Sequence, residues 1–131
     1  HKTFYHGHTF TANAIACAAA NASLDIFEEE AILESLPEKI RHLENNLNKL
    51  KSINHISNIR SRGLIAAFNI EDKTIKRIPL TVHQAALKEG LILRPLDNVV
   101  YLNLPLSVTK HDIDTIFDKT VAAITRVLRP S

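Results

Sequence analysis

"HISNIRSRGLIAAFNIED", residues 55–72, is where the hydrophobic period of this chain changes, and that change decides the fold class. Ile56 and Ile59, then a short apolar run from Leu64 to Ile70 with Gly63 between them, read as two strands or a bent strand pair. Upstream the period is helical. From Ala31 to about Ser52, the residues Ile32, Leu36, Ile40, Leu43, Leu47 and Leu50 recur at three-to-four spacing, opposite a solvated face of Glu38, Lys39, Arg41, Glu44, Asn45 and Lys49. Pro37 lies inside that stretch and marks a break into a short helix followed by a longer one.

Before it, Ile15, Ala18, Ala19, Ala22 and Ile26 give a further helix from Ala12 to Glu30, with Thr11 or Asn13 as its cap. Alanine has the highest helix propensity and lets another backbone come near, so close packing of this helix against something large, outside the sequence, is expected. Downstream of the strands, a helix from about Thr81 to Glu89 ends at Gly90, a C-cap residue. "LILRPLDNVVYLNLP" then reads as two short strands joined by a turn at Asp97-Asn98. The last element is an amphipathic helix from Thr109 to Leu128, with Thr109 three residues before Asp112 and Ile113, Ile116, Phe117, Val121, Ile124 and Leu128 on one face. Helices at both ends and strands between them predict an α+β fold. A small, mostly antiparallel sheet is covered on one side by helices and preceded by a long alanine-rich helix.

Composition limits what such a fold could do. At 131 residues and 45% apolar, the chain is one domain in size and can bury a core. Sixteen basic against fourteen acidic residues leave a net charge of +2, the cations are scattered, and aromatics amount to two tyrosines and five phenylalanines. Nucleic-acid binding is not expected from that distribution. One cysteine, Cys17, excludes a disulfide framework and a cysteine-based metal site and points to an intracellular, cytoplasmic protein. No apolar segment approaches the roughly 20 residues that span a bilayer, and no signal peptide opens the chain, so a soluble protein without membrane attachment is expected. The chain opens on His1 and contains no methionine, which suggests a piece of a longer translation product.

Three features carry candidate chemistry. His6 and His8 have H-x-H spacing with His1 near, but no carboxylate or cysteine adjoins them to complete a metal site, and none is expected. Cys17 has alanine neighbours, which suggest a buried, inert thiol. "HGHTFTAN", residues 6–13, can be an anion site, in which Gly7 allows close backbone approach, Thr9 offers a hydroxyl and an N–H, and a helix N-terminus follows. A simple capping loop explains the same residues. Arg94 interrupts an apolar strand in "LILRPLDN", so its guanidinium either meets the carboxylate of a ligand or pairs with a neighbour such as Asp97.

"FYHGHTFTANAIACAAANASLDIFEEE", "IRSRGLIAAFNIE" and "GLILRPLDNVVYLNLPLSVTKHDID", in that order and followed by a closing helix, resemble the C-terminal part of the class III aminotransferases that use pyridoxal phosphate. The likeness covers essentially the whole chain, and its HGHT-x-x-A/G-N opening into an alanine-rich helix is specific for the class. The "LRP" strand leading to "VVYLNLPL" is most similar to the biotin-pathway members. The resemblance implies the small C-terminal domain of a fold type I transferase, with residues 1–30 as cofactor-phosphate loop and interface helix and residues 31–131 as the small domain. It implies that Thr9 and His8 touch the cofactor phosphate across a homodimer interface, where many members carry proline in place of His8. Gly7 lies against the substrate, and Arg94 pairs with the substrate carboxylate. The implied reaction moves an amino group from S-adenosylmethionine to 8-amino-7-oxononanoate to give 7,8-diaminononanoate. The Schiff-base lysine and the acidic partner of the pyridine nitrogen belong to the large domain, and no lysine here follows the family's lysine motif, so no catalytic residue is assigned and the chain alone is expected to be inactive. Alternatives are a class III enzyme of the ω-amino acid or ornithine type, or a non-catalytic module whose alanine-rich helix docks on a partner protein.

Overall fold

The computed structural model describes residues 2–128. They form two compact units, one ending at Glu34 and the other starting at Ser35.

The first unit is an extended loop followed by α1 (Ala14–Glu29). The Oδ1 atom of Asn13 accepts from the Ala16 amide at 3.0 Å and caps the helix, so of the two expected caps Asn13, not Thr11, serves. Ala12, at φ +59°, is left-handed and cannot begin the helix, which therefore starts two residues later than its periodicity predicts. Cys17 is exposed, which corrects the expectation of a buried thiol. The thiol shares this exposure with the whole element: no residue of α1 is buried, and its large apolar side chains Ile15, Leu24 and Ile26 are exposed as well.

Next comes α2 (Ile32–Leu50), which runs unbroken through Pro37, contrary to the expected break. Proline removes one i→i−4 hydrogen bond, but Leu43, Leu47 and Leu50 anchor the following turns in the core, and tertiary packing outweighs the local penalty. β1 (Ile56–Arg62) and β2 (Ile65–Ile70) form a hairpin whose turn is made by Gly63 at φ +58°. The ladder slips between Ser57 and Arg60 at a bulge, where Asn58 is left-handed. α3 (Ile78–Lys88) begins three residues before its expected start because Pro79 sits in its first turn, where a missing N–H costs nothing.

β3 (Arg94–Leu96) and β4 (Val99–Asn103) close the sheet, whose order is β1-β2-β4-β3. All three pairings are antiparallel. α4 (Lys110–Leu128) ends the fold. On β2, Ala66, Phe68 and Ile70 are buried while Ile65 is exposed, and their neighbours Val100 and Leu102 on β4 are buried with them. One sheet face thus joins Leu43, Leu47 and Leu50 of α2, Val82 and Ala86 of α3, and Ile113, Phe117 and Ile124 of α4 in a single core. Each large apolar side chain buried this completely contributes about 1.5–3 kcal/mol. The architecture is the expected α+β fold.

Candidate functional site

The loop before α1 is organised by one threonine. Thr11 donates its amide to the His8 carbonyl at 3.0 Å, donates its hydroxyl to the same carbonyl at 2.7 Å, and accepts the His8 amide at 3.1 Å. Residues 8–11 therefore form a β-turn tied from both sides. Thr9 and Phe10 occupy its two central positions, whose amides take no part in the closing bond. The Thr9 amide and hydroxyl have no partner among the described residues, and Thr9 is exposed. These unpaired donors on a tied turn are the kind of surface a phosphate needs. The α1 N-terminus adds less than expected, because Asn13 already takes its Ala16 amide.

Gly7 is not left-handed, and a Cβ built on it would meet nothing within 4 Å, so no close approach within the chain requires this glycine. The His6 ring stacks on Phe4 at 5.2 Å and meets His8 edge-on at 5.2 Å. Among the described residues no group of three or more His, Cys, Asp or Glu side chains converges on a point, and His1 lies outside them.

Arg94 belongs to the second unit. It starts β3 opposite Tyr101 of β4 and lines a cleft of about 500 Å³, with Leu91, Ile92, Leu104 and Ile116 as its apolar wall and Tyr101 and Asn103 as polar neighbours. Among the described residues no carboxylate pairs with it, so the expected alternative of an ion pair with Asp97 is not realised. Asp97 instead sits in the β3–β4 turn at φ +53°. An exposed guanidinium without a counter-ion, in a cleft that also has an apolar wall, can take a carboxylate while that wall holds an attached hydrocarbon chain.

Tyr101 could have been found from sequence, since a two-residue turn at Asp97-Asn98 places residue 94 opposite residue 101. Two other features were not legible. The imidazole Nδ1 of His83 on α3 lies 2.6 Å from the carbonyl of Leu93. Between α2 and α4, His42 Nε2 and Asn46 Nδ2 reach Asp114 Oδ1 at 2.8 and 2.9 Å. The Asn46 bond first, and the His42 bond after it, hold the Asp114 carboxyl below the usual carboxylate range. His42 and Asn46 share a helix face by their spacing, but their common partner lies far along the chain. This knot fastens helices and offers no reactive group to the cleft.

Residues 1–124 match the family model described as aminotransferase class III. The adenosylmethionine-8-amino-7-oxononanoate aminotransferase of Geobacter sulfurreducens is 41% identical over 125 residues, covering 89% of this chain and 28% of that protein. The enzyme of the same name from Helicobacter pylori is 38% identical, covering 97% and 29%. The crystal structure of the Methanocaldococcus jannaschii enzyme of that name superposes with a TM-score of 0.82 at 35% identity, over 94% of this chain and 30% of that one. An omega transaminase from Pseudomonas jessenii, solved in complex with PMP, shares the fold at a TM-score of 0.83 and 24% identity, over 93% and 29%. The chain spans less than a third of the length of these relatives. On the family match across nearly its full length, the chain belongs to the class III aminotransferases.

Proposed function

We propose that this chain supplies the cofactor-phosphate loop and small C-terminal domain of a cytoplasmic, homodimeric, pyridoxal-phosphate-dependent aminotransferase. The enzyme takes an amino group from S-adenosylmethionine and delivers it to 8-amino-7-oxononanoate, a step of biotin biosynthesis. The observation that carries this reading is the Arg94 cleft: a guanidinium without a counter-ion among the described residues, beside Leu91, Ile92, Leu104 and Ile116. A keto acid whose carboxylate is separated from its reacting carbonyl by a run of methylenes matches that combination of charge and apolar wall. The names of the relatives support the same substrate pair.

The residues present fit the cofactor at one point, the tied turn of residues 8–11. Thr9 offers an exposed hydroxyl and amide to the phosphate, and His8 adds its side chain beside them. Gly7, with open space around its missing Cβ, leaves room for substrate to lie against the backbone. Pyridoxal phosphate, when bound, supplies the electron sink through which nitrogen is exchanged. The chain's own part is to grip the phosphate at Thr9 and to fix the far end of the acceptor at Arg94, so that binding energy remote from the reacting carbon orients it.

The test uses the full-length enzyme with 8-amino-7-oxononanoate and with its methyl ester, which lacks the negative charge. Arg94→Ala should raise KM for the acid by about 10- to 100-fold, the net contribution of one or two charge-assisted hydrogen bonds, and change KM for the ester far less. Thr9→Ala should weaken pyridoxal phosphate binding, read by the cofactor's absorbance on titration. If the enzyme is inactive on these substrates but accepts shorter ω-amino acids, the acceptor assignment falls. If it neither binds the cofactor nor transaminates, the chain is an interaction module.

A further inference from the structure

The carboxylate-binding role of Arg94 depends on how its backbone is held, and two features fix that backbone from opposite sides. On the C-terminal side stands Pro95, which confines the preceding residue to extended conformations. On the N-terminal side, the carbonyl of Leu93 and the amide of Arg94 belong to one planar peptide group, so whatever anchors that carbonyl orients the arginine. The anchor is His83. Its Nδ1 lies 2.6 Å from the Leu93 oxygen, and since a carbonyl can only accept, Nδ1 carries the proton.

His83 stands on α3 with its ring half-buried, between Val82, which is fully buried, and Gln84, which is exposed. α3 itself is a firm base. Its C-terminus closes with Gly90 N–H bonded to the Leu87 carbonyl at 3.0 Å and Leu91 N–H to the Ala86 carbonyl at 3.0 Å, the paired bonds of a Schellman motif. Leu93, the residue whose carbonyl His83 holds, is itself in the core. The segment from Leu91 to Arg94 is therefore tethered at its start by the helix cap and just before the arginine by the imidazole.

We propose that His83 is a positioning residue for Arg94, acting through the Leu93–Arg94 peptide so that the guanidinium meets the acceptor's carboxylate already oriented. This rests on the reading of Arg94 as the carboxylate-binding group. An arginine side chain is flexible, and a fork that must be ordered at binding loses affinity that a preorganised one keeps.

In the full-length enzyme, His83→Leu, which keeps bulk without a donor, should raise KM for 8-amino-7-oxononanoate by about three- to tenfold, the net contribution of one hydrogen bond. KM for the methyl ester should stay within about twofold of its starting value. In an Arg94→Ala background the same change should add nothing, since there is no guanidinium left to orient. His83→Asn, whose amide can donate from nearly the position of Nδ1, should restore most of the preference for acid over ester. A folded His83→Leu enzyme that loses acid and ester equally, or whose effect is additive with Arg94→Ala, overturns the proposal in favour of a purely structural histidine. Should His83→Leu fail to fold, a folded His83→Asn enzyme that has lost the preference for acid overturns it, and one that keeps the preference upholds it. If Arg94→Ala raises KM for acid and ester by the same factor, leaving the original preference for acid in place, the assignment of Arg94 is what fails.

Discussion

Gly90 and Gly7 are two of the three glycines in the chain, and they answer to different physics. Gly90, at φ +72°, ends α3 in a left-handed conformation that a side chain adopts only at a cost. A Cβ there would meet only the Lys119 Nζ at 3.8 Å, an ordinary contact, so the cost of Gly90→Ala is almost wholly conformational. We expect a loss of about 1 kcal/mol, seen as a lower urea midpoint with an unchanged slope. Gly90 was legible because a glycine after a helical run has a mechanism that acts within the chain. Gly7 was singled out by its motif and by the close approach a glycine permits, yet nothing in the chain crowds it. Arg94 lies between these cases. Its place in an apolar strand made it conspicuous, but whether it paired with Asp97 was a question of where two side chains end, which sequence separation does not decide.

At the level of elements, α4 begins with a reciprocal cap. Asp112 Oδ2 accepts from the Thr109 amide at 3.0 Å and from its hydroxyl at 2.6 Å, while the Asp112 amide donates to the Thr109 hydroxyl at 3.1 Å. The side-chain bond and then the backbone bond from Thr109 hold the Asp112 carboxyl below its ordinary value. On α2, the ion pair with Lys110 does the same to Glu38, and in the loop before α3 the Thr74 hydroxyl does so to Asp72. A carboxyl depressed in the folded state binds its proton more readily when unfolded. Its contribution is therefore complete above the unfolded pKa of about 4 and is lost as pH falls through the lower folded value. The share of stability that these carboxyls supply should be level from pH 7 to about 5 and decline below about 4. Asp112→Asn should make that decline shallower, which urea titrations at several pH values would measure. The Thr109–Asp112 cap and the α4 periodicity were readable because both are local. The continuity of α2 through Pro37 and the early start of α3 at Ile78 were not. In the first case distant leucines override a local penalty, and in the second a proline reads as a breaker unless its place in the first turn is known.

For the whole molecule, the uneven distribution of burial matters most. Among the described residues every fully buried large side chain, Phe68, Phe117, Leu43 and Ile124 included, lies at or beyond residue 43, and α1 buries none. The sequence foresaw one layered core because strand and helix stripes can be matched to one another within the chain. It foresaw a buried Cys17 wrongly, because small residues at helical spacing record only that a helix can be approached closely and do not supply its partner. Cooperative unfolding follows the buried core, and an element without buried side chains adds little to it. A polypeptide lacking residues 1–30, which leaves α2 whole, should therefore unfold in urea with a stability within about 1 kcal/mol of the 131-residue chain and a slope reduced only slightly. Its far-ultraviolet helical signal should fall by the share that α1 contributes. A loss of several kcal/mol would mean that the first unit is energetically part of the second. The expected result would mean instead that the loop of Gly7, His8 and Thr9 and the helix behind it are kept for what they meet outside this core.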